Sequence, residues 1–196
     1  GYTHEKKTGL QNEEVEKILK VFCFYTVAQM RFNFDEHFLN ETLLKIKNKL
    51  KIEYKPGDLI YDLELSISIL IKEGLDYKFP HRTIQDYFMV LFVKELNDFE
   101  KRKVFENSFE QIYPHQGNKN IFDLFMEIDK IAYIEYYLIP LFEKFHKIYT
   151  LDEPIKNYAL LLQESKASYI ITIGKNTFRI GRVSRLMIKH VYVSEY

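Results

Sequence analysis

The sequence predicts a mainly α-helical protein with a small amount of β structure. Apolar residues recur at spacings of three and four along most of the first 165 residues, the period of an amphipathic helix. Glycine is scarce, with 7 residues among 196, whereas the tight turns of an all-β fold need glycine. Segments with strand character occur only near residues 75–79 and after residue 168.

Two helices are predicted in the first 50 residues. The first begins at Asn12, where acidic residues fill the first turn and suit the positive end of the helix dipole. The second begins near Asn33, whose side chain would cap the helix while Glu36 completes a capping box. Their apolar faces consist of Val15, Ile18, Leu19, Phe22 and Met30 in the first helix, and Leu39, Leu43, Ile46 and Leu50 in the second.

A third helix is predicted after the break at Pro56-Gly57. Asp58 is expected to be its N-cap, and Gly74 is expected to end it in a left-handed conformation. Its apolar residues would be Leu59, Leu63, Ile67, Leu70 and Ile71.

A strand and a fourth helix are predicted next. Residues 75–79 alternate apolar and charged side chains, which indicates a short strand. Pro80 follows, and Thr83 with Asp86 three residues later predicts the start of a helix. Three helices, a strand and a return into a helix are the pattern of a winged-helix domain. The apolar face of the fourth helix would consist of Ile84, Phe88, Leu91 and Phe92.

Three regions are predicted along the chain: a winged-helix domain over 1–96, a helical bundle domain over 97–165 and a basic, β-rich C-terminal tail over 166–196. The bundle would contain helices near 100–112, 121–128, 131–149 and 154–164. The tail would contain strands near 169–173 and 178–183, joined by a hairpin loop at 174–176, and a third strand within 186–193.

Composition and motifs argue against catalysis and against a metal site. The chain lacks the G-x-x-x-x-G-K-[ST], G-x-S-x-G and H-E-x-x-H patterns, and its six histidines are scattered. The single cysteine, Cys23, is expected to be a buried apolar residue in a reducing, cytoplasmic setting. Net charge is zero, so no global field attracts nucleic acid or membrane. Charged residues within the apolar segment 131–149 exclude a membrane span.

The most specific signal is a motif in residues 74–88. Its matching residues are Gly74, Tyr77, Phe79, His81, Thr83, Ile84, Gln85, Asp86, Tyr87 and Phe88. This motif resembles the winged-helix segment of NACHT-type STAND NTPases, the class that includes animal NOD-like receptors and bacterial anti-phage sensors. The chain departs from that pattern with Asp86 where Glu is commoner, Pro80 where an aliphatic residue is usual, and Met89-Val90 where small residues are usual.

The resemblance implies a regulatory role. A nucleotide-binding NACHT domain would lie N-terminal to this region in the same polypeptide, and the isolated chain would carry no cofactor of its own. His81 would contact the phosphates of ADP held by that domain, with Arg82 as a second cation. A helix N-terminus beside His81 would favour such an anion. The resemblance also implies a homo-oligomer on activation, and Gln85, Asp86, Tyr87 and Phe88 are assigned to packing and helix capping.

Other interpretations remain open at this stage. His81 could be a helix cap or a hydrogen-bonded surface residue, and Arg82 a solvated cation. The chain could also be a free-standing winged-helix adaptor or a nucleic-acid-binding module. Residues 166–190 contain six basic residues and no acidic one, which would suit nucleic acid, but acids outnumber bases along the predicted third helix.

Overall fold

The computed structural model describes residues 4–107, 120–140 and 143, and the backbone of residues 169–173 and 176–180. The chain divides into two compact units, Gly1–Asn97 and Asp98–Tyr196. The described part is mainly helical and contains a small three-stranded antiparallel sheet, as the sequence predicted at this level. The predicted helix at 154–164 and the predicted third strand within 186–193 lie outside the described residues.

The first unit contains four helical elements and a three-stranded sheet. The sheet order is β1-β3-β2, and both pairings are antiparallel: Phe34 pairs with Tyr77, and Lys72 also pairs with Tyr77 from the other side. The elements are α1 (Asn12–Ala28), β1 (Phe34–Asp35), α2 (Glu36–Leu50), α3 (Pro56–Tyr61) with a following π-helical turn (Asp62–Ser66), β2 (Ile71–Glu73), β3 (Asp76–Lys78) and α4 (Arg82–Glu95).

Helix α1 begins where the sequence predicted, but the predicted start of α2 is wrong. The N-cap of α2 is Asp35, whose Oδ1 accepts a 2.8 Å hydrogen bond from the Phe38 backbone nitrogen. Asn33 does not cap the helix because the next two residues form β1 and pair with β3. The helix therefore begins only after this short strand ends.

The third helix ends well before Gly74, contrary to the prediction. Helical structure stops at Ser66, and Ser68 has a left-handed backbone with φ of 57°. Residues 71–73 form β2, and Gly74 occupies the β2–β3 turn with φ of 65°. Leu70 and Ile71 fit helical spacing, but Leu70 directly precedes β2 and Ile71 is its first residue. The N-cap is Lys55, with Pro56 at the first helical position, so Asp58 does not cap the helix.

The predicted cap and apolar face of α4 are also wrong. The N-cap is His81, and Thr83 lies inside the first turn. The predicted face, formed by residues 84, 88, 91 and 92, is only half-buried. Gln85 and Asp86 lie on the buried face, which is rotated by about one residue from the predicted one, and Gln85 has hydrogen-bond partners there. The buried residues are Gln85, Asp86, Met89, Val90 and Val93.

The core of the first unit is built around aromatic side chains. The ring of Phe22 lies edge-on to that of Phe34 at 5.1 Å between centroids, and Phe34 in turn contacts Phe79 at 6.1 Å. Cys23, on the same helix, is completely buried and has a free thiol, which confirms its prediction as a buried residue. Burial raises the pKa of this thiol well above its usual value. This core fixes α1 against the sheet.

The second unit contains α5 (Asp98–Asn107), α6 (Asn120–Ile128) and α7 (Lys130–Tyr133), followed by a π-helical turn (Ile134–Leu138). Asp129 caps α7 through the Ala132 backbone nitrogen and also pairs with Lys101 at 2.6 Å. Ile131 is 76% exposed, so the predicted buried helix over 131–149 does not begin with a core residue. Aromatic side chains form much of this core: Phe105, Phe122, Phe125, Tyr133 and Tyr136.

Two further antiparallel strands, β4 (Tyr169–Ile173) and β5 (Asn176–Ile180), belong to the second unit. The first matches its prediction, whereas the second begins two residues earlier than predicted because Ile173 pairs with Asn176. Asn176 is therefore a strand residue rather than part of the loop. In the part of the chain that the structure describes, no helix has the length and apolar character that a membrane span requires.

Candidate functional site at the start of α4

His81 lies at the junction between β3 and α4. Two residues before His81, the side chain of Phe79 is buried and anchors the backbone there. The backbone of His81 is extended, with φ of −133° and ψ of 132°, and its carbonyl accepts a 3.0 Å hydrogen bond from the Ile84 nitrogen. The imidazole makes no capping hydrogen bond, and the residue is exposed. His81 therefore caps α4 with its backbone, while the ring lies at the surface.

Arg82, the other predicted site residue, is the first residue of α4. Its guanidinium lies over the ring of Phe32 at 3.7 Å. Its Nε atom is 4.0 Å from Oδ1 of Asp86, one helical turn later. About a third of the Arg82 side chain is exposed. The cation therefore lies at the boundary between solvent and the interior, beside His81 in the chain.

Asp86 is the buried partner of this cation. The residue is only 2% exposed, and its Oδ1 atom has no hydrogen-bond partner. Burial raises the pKa of Asp86 to about 6, and the nearby positive charge of Arg82 opposes that rise. The carboxylate is therefore ionised near neutral pH but poorly compensated.

Gln85 lies in the first turn of α4, after Arg82, and connects this turn to α1 by hydrogen bonds. Its Nε2 atom donates to the Thr26 hydroxyl at 2.7 Å and to the Arg31 carbonyl at 3.1 Å. The Thr26 hydroxyl donates in turn to the Phe22 carbonyl at 2.9 Å. Each buried polar group in this chain of hydrogen bonds thus has a partner, which fixes the position of α4 relative to α1.

The segment after α1 extends this network to α2. The Arg31 guanidinium pairs with Asp35 at 2.7 Å and lies over the Phe38 ring at 3.7 Å. The pKa of Asp35 is lowered, chiefly because its carboxylate accepts the hydrogen bond from the Phe38 backbone. The N-terminal ends of α2 and α4 are therefore connected through residues 26–35.

The motif residues after Ile84 were predicted to take part in packing and helix capping, and they pack but do not cap. Gln85 and Asp86 are buried, but neither caps α4. Tyr87 is 42% exposed and packs edge-on against Phe88 at 5.5 Å between ring centroids. The contact between Arg82 and Asp86 was not predicted, although their spacing of four residues in a helix could have indicated it. No pattern in the sequence indicates that Phe32 lies under the guanidinium.

Among the described residues, no group of three or more histidine, cysteine, aspartate or glutamate side chains is placed to hold a metal ion. In comparisons with known proteins, no family model matches the chain, and no curated protein and no solved structure matches it significantly. Function is therefore inferred from the residues around the start of α4.

Proposed function

We propose that the chain is a non-catalytic regulatory region of a NACHT-type STAND NTPase. In this proposal the first unit is a winged-helix domain and the second is the helical domain that follows it. The element order of helix, strand, two helices, two strands and helix, with a β1-β3-β2 sheet, supports the winged-helix assignment. The β2–β3 hairpin around Gly74 would be the wing.

One observation carries the functional part of the proposal: the imidazole of His81 is exposed and unused as a cap at the beginning of a 14-residue helix. The partial positive charge of that helix end favours an anion. An imidazole there can donate a hydrogen bond to a phosphate oxygen, and more strongly when protonated. Arg82 supplies a second positive charge next to it in the chain.

The ligand in this proposal is ADP or ATP held by an N-terminal NTPase domain of the same polypeptide. His81 would contact the phosphates in the closed state, and loss of this contact would release the region for signalling and homo-oligomer formation, with anti-phage defence in the cytoplasm as one setting. The region would report the nucleotide state rather than hydrolyse the nucleotide.

The alternative is a free-standing adaptor or nucleic-acid-binding module. The six basic residues within 166–190 favour it. The helical segment Pro56–Ser66, which would read DNA in a winged helix, contains Asp58, Asp62 and Glu64 and no Lys or Arg. These acids disfavour DNA recognition by that segment, so we prefer the nucleotide-sensing role.

Two experiments test the proposal. The complete reading frame should encode a P-loop and a Walker B segment upstream of this region; their absence would favour the adaptor. In the full-length protein, His81→Ala should accelerate ADP dissociation by roughly tenfold, the effect of losing about 1.4 kcal/mol of binding energy. The matched control is His37→Ala, since His37 is also an exposed histidine near the N-terminal end of a helix. Equal ADP retention in the two variants would refute the role of His81.

A further inference from the structure

The segment before α1 lies against the helical segment Pro56–Ser66 and is bound to it at one buried acid. Asp62 is fully buried, although it carries a carboxylate. It accepts hydrogen bonds from the backbone nitrogens of Lys7 and Thr8, at 2.6 and 3.0 Å, and from the Thr8 hydroxyl at 2.6 Å. Donors from two consecutive residues therefore satisfy this carboxylate. Residues 4–8 form what we call the strap.

The strap also contacts the residues next to Asp62 and at the far end of the π-helical turn. Nζ of Lys7 lies 3.5 Å from the centroid of the Tyr61 ring, a cation–π contact. The hydroxyl of Ser66 donates a 3.3 Å hydrogen bond to the Glu5 carbonyl. Because the π-helical turn begins at Asp62 and ends at Ser66, the strap is bound at both ends of this turn.

The π-helical turn and the residues after it have an irregular backbone. The Ile67 nitrogen donates to the Asp62 carbonyl at 2.8 Å, and the Leu70 nitrogen donates to the Leu63 carbonyl at 3.0 Å. Ser68, between these donors, has a left-handed conformation that is unfavourable for a residue other than glycine. Turns of this kind are rare, and unfavourable backbone conformations persist only where the surrounding structure supports them.

The turn leads directly into the three-stranded sheet. Strand β2 begins at Ile71, the residue after Leu70, and pairs with β3 over its three residues. Leu63 and Leu70 are buried, so we expect them to keep this segment in the core when the strap leaves. The Asp62 carboxylate would then be open to water, and the backbone hydrogen bonds of the turn would lose the support of the strap.

We infer that the strap is a latch for the π-helical turn and for the start of β2. The bound strap holds both ends of the turn and protects its backbone hydrogen bonds. Release of the strap hydrates Asp62, lets the bonds from Ile67 and Leu70 open more often, and loosens the β2–β3 hairpin. The segment before α1 is thereby coupled to a hairpin that is distant in sequence. This coupling goes beyond the proposed function and does not depend on it.

Amide hydrogen exchange of the whole chain tests the coupling, because it measures local opening at each residue. Thr8→Val removes the two hydrogen bonds of the hydroxyl, to Asp62 and from the Leu10 nitrogen at 3.3 Å. Exchange at Ile67, at Leu70 and in the β2–β3 pairing should become roughly tenfold faster, as expected for the loss of a hydrogen bond to a charged group. Exchange in the middle of α1 and α4 should change by less than about twofold.

The matched control is Thr42→Val, since Thr42 is also a half-buried threonine but lies in α2, outside the strap. Asp62→Asn should accelerate exchange at Ile67 and Leu70 further, and if it does not fold, Thr8→Val decides. A strap that only adds stability would raise exchange equally in α1 and α4. Such a uniform rise, an equal effect of Thr42→Val, or unchanged exchange at Ile67 and Leu70 in Thr8→Val would overturn the inference.

Discussion

The Nε2 atom of Gln85 in α4 donates a 2.7 Å hydrogen bond to the hydroxyl of Thr26 in α1, 59 residues earlier in the chain. Both residues are buried, so neither polar group can exchange its partner for water without moving the helices apart. This bond therefore fixes which face of α4 is buried against α1.

The first prediction concerns this bond. Gln85→Met and Thr26→Val should each lower the free energy of unfolding by about 1–3 kcal/mol, because each removes a buried hydrogen bond and leaves one donor or acceptor position of the remaining polar group unfilled. A double-mutant cycle measured by denaturant unfolding should give a coupling energy of about 0.5–1.5 kcal/mol. Gln29→Met, at an exposed glutamine after α1, is the matched control and should show no coupling to Thr26→Val. Additive effects of the two buried substitutions would contradict this prediction.

The second prediction concerns the pH dependence of stability. The pKa of Asp86 is about 6 in the folded chain, above the value of about 4 expected when unfolded. The folded state thus favours the neutral acid, and the contribution of Asp86 to stability is lost as the pH rises from about 4 through about 6. Replacing it by the neutral isostere should remove this cost. Asp86→Asn should therefore raise the free energy of unfolding at about pH 7.5 by about 1–3 kcal/mol.

The gain from Asp86→Asn should be smaller by about 1 kcal/mol at about pH 5, where the native acid is mostly protonated. Unfolding curves at the two pH values measure this difference directly. Asp76→Asn provides the control, since Asp76 is exposed and should give little change at either pH. A gain that is the same at both pH values would mean that Asp86 does not titrate in this range.

The third prediction concerns Asp62, which is fully buried and binds the N-terminal segment. Its carboxylate accepts hydrogen bonds from the backbone nitrogens of Lys7 and Thr8, at 2.6 and 3.0 Å, and from the Thr8 hydroxyl at 2.6 Å. Burial acts to raise the pKa of Asp62, but these hydrogen bonds outweigh it and the pKa is lowered. All three partners are donors, which a carboxylate accommodates and an amide nitrogen does not.

Asp62→Asn should therefore lower the free energy of unfolding by about 2–4 kcal/mol at neutral pH, as measured by chemical denaturation. Because the folded pKa is lowered, this contribution is present above about pH 4 and is lost as the solution becomes more acidic. Glu41→Gln, which removes an exposed carboxylate paired with Lys45 at 3.7 Å, should change stability by less than about 0.5 kcal/mol. Similar losses in the two variants would show that Asp62 does not anchor residues 7 and 8.

Much of the first unit could be predicted from local pattern. The start of α1 at Asn12, the strand near residues 75–79 and the helix after His81 depend on apolar spacing and on turn residues, which act over a few positions. The errors occurred where partners distant in sequence intervene. Pairing of β1 with β3 delays the start of α2, and pairing of β2 with β3 converts the end of the predicted third helix into a strand.

The candidate site, like the fold, could be predicted only in part from the sequence. The motif identified His81 and Arg82, because a residue between a strand and a helix is visible in the local pattern. It did not reveal that Asp86 would be buried beside Arg82, or that Phe32 would support the guanidinium. Polar residues are expected at the surface, and their burial depends on donors and acceptors that folding brings together from elsewhere in the chain.

Taken by itself, the amino-acid sequence determined the mainly helical character of the protein, the approximate positions of most described elements in the first unit and the place of its one exposed motif histidine. Only the tertiary structure decided which face of α4 is buried. Helical periodicity records where apolar side chains fall, whereas burial of Gln85 depends on the Thr26 hydroxyl and the Arg31 carbonyl, which no local pattern brings into contact with it.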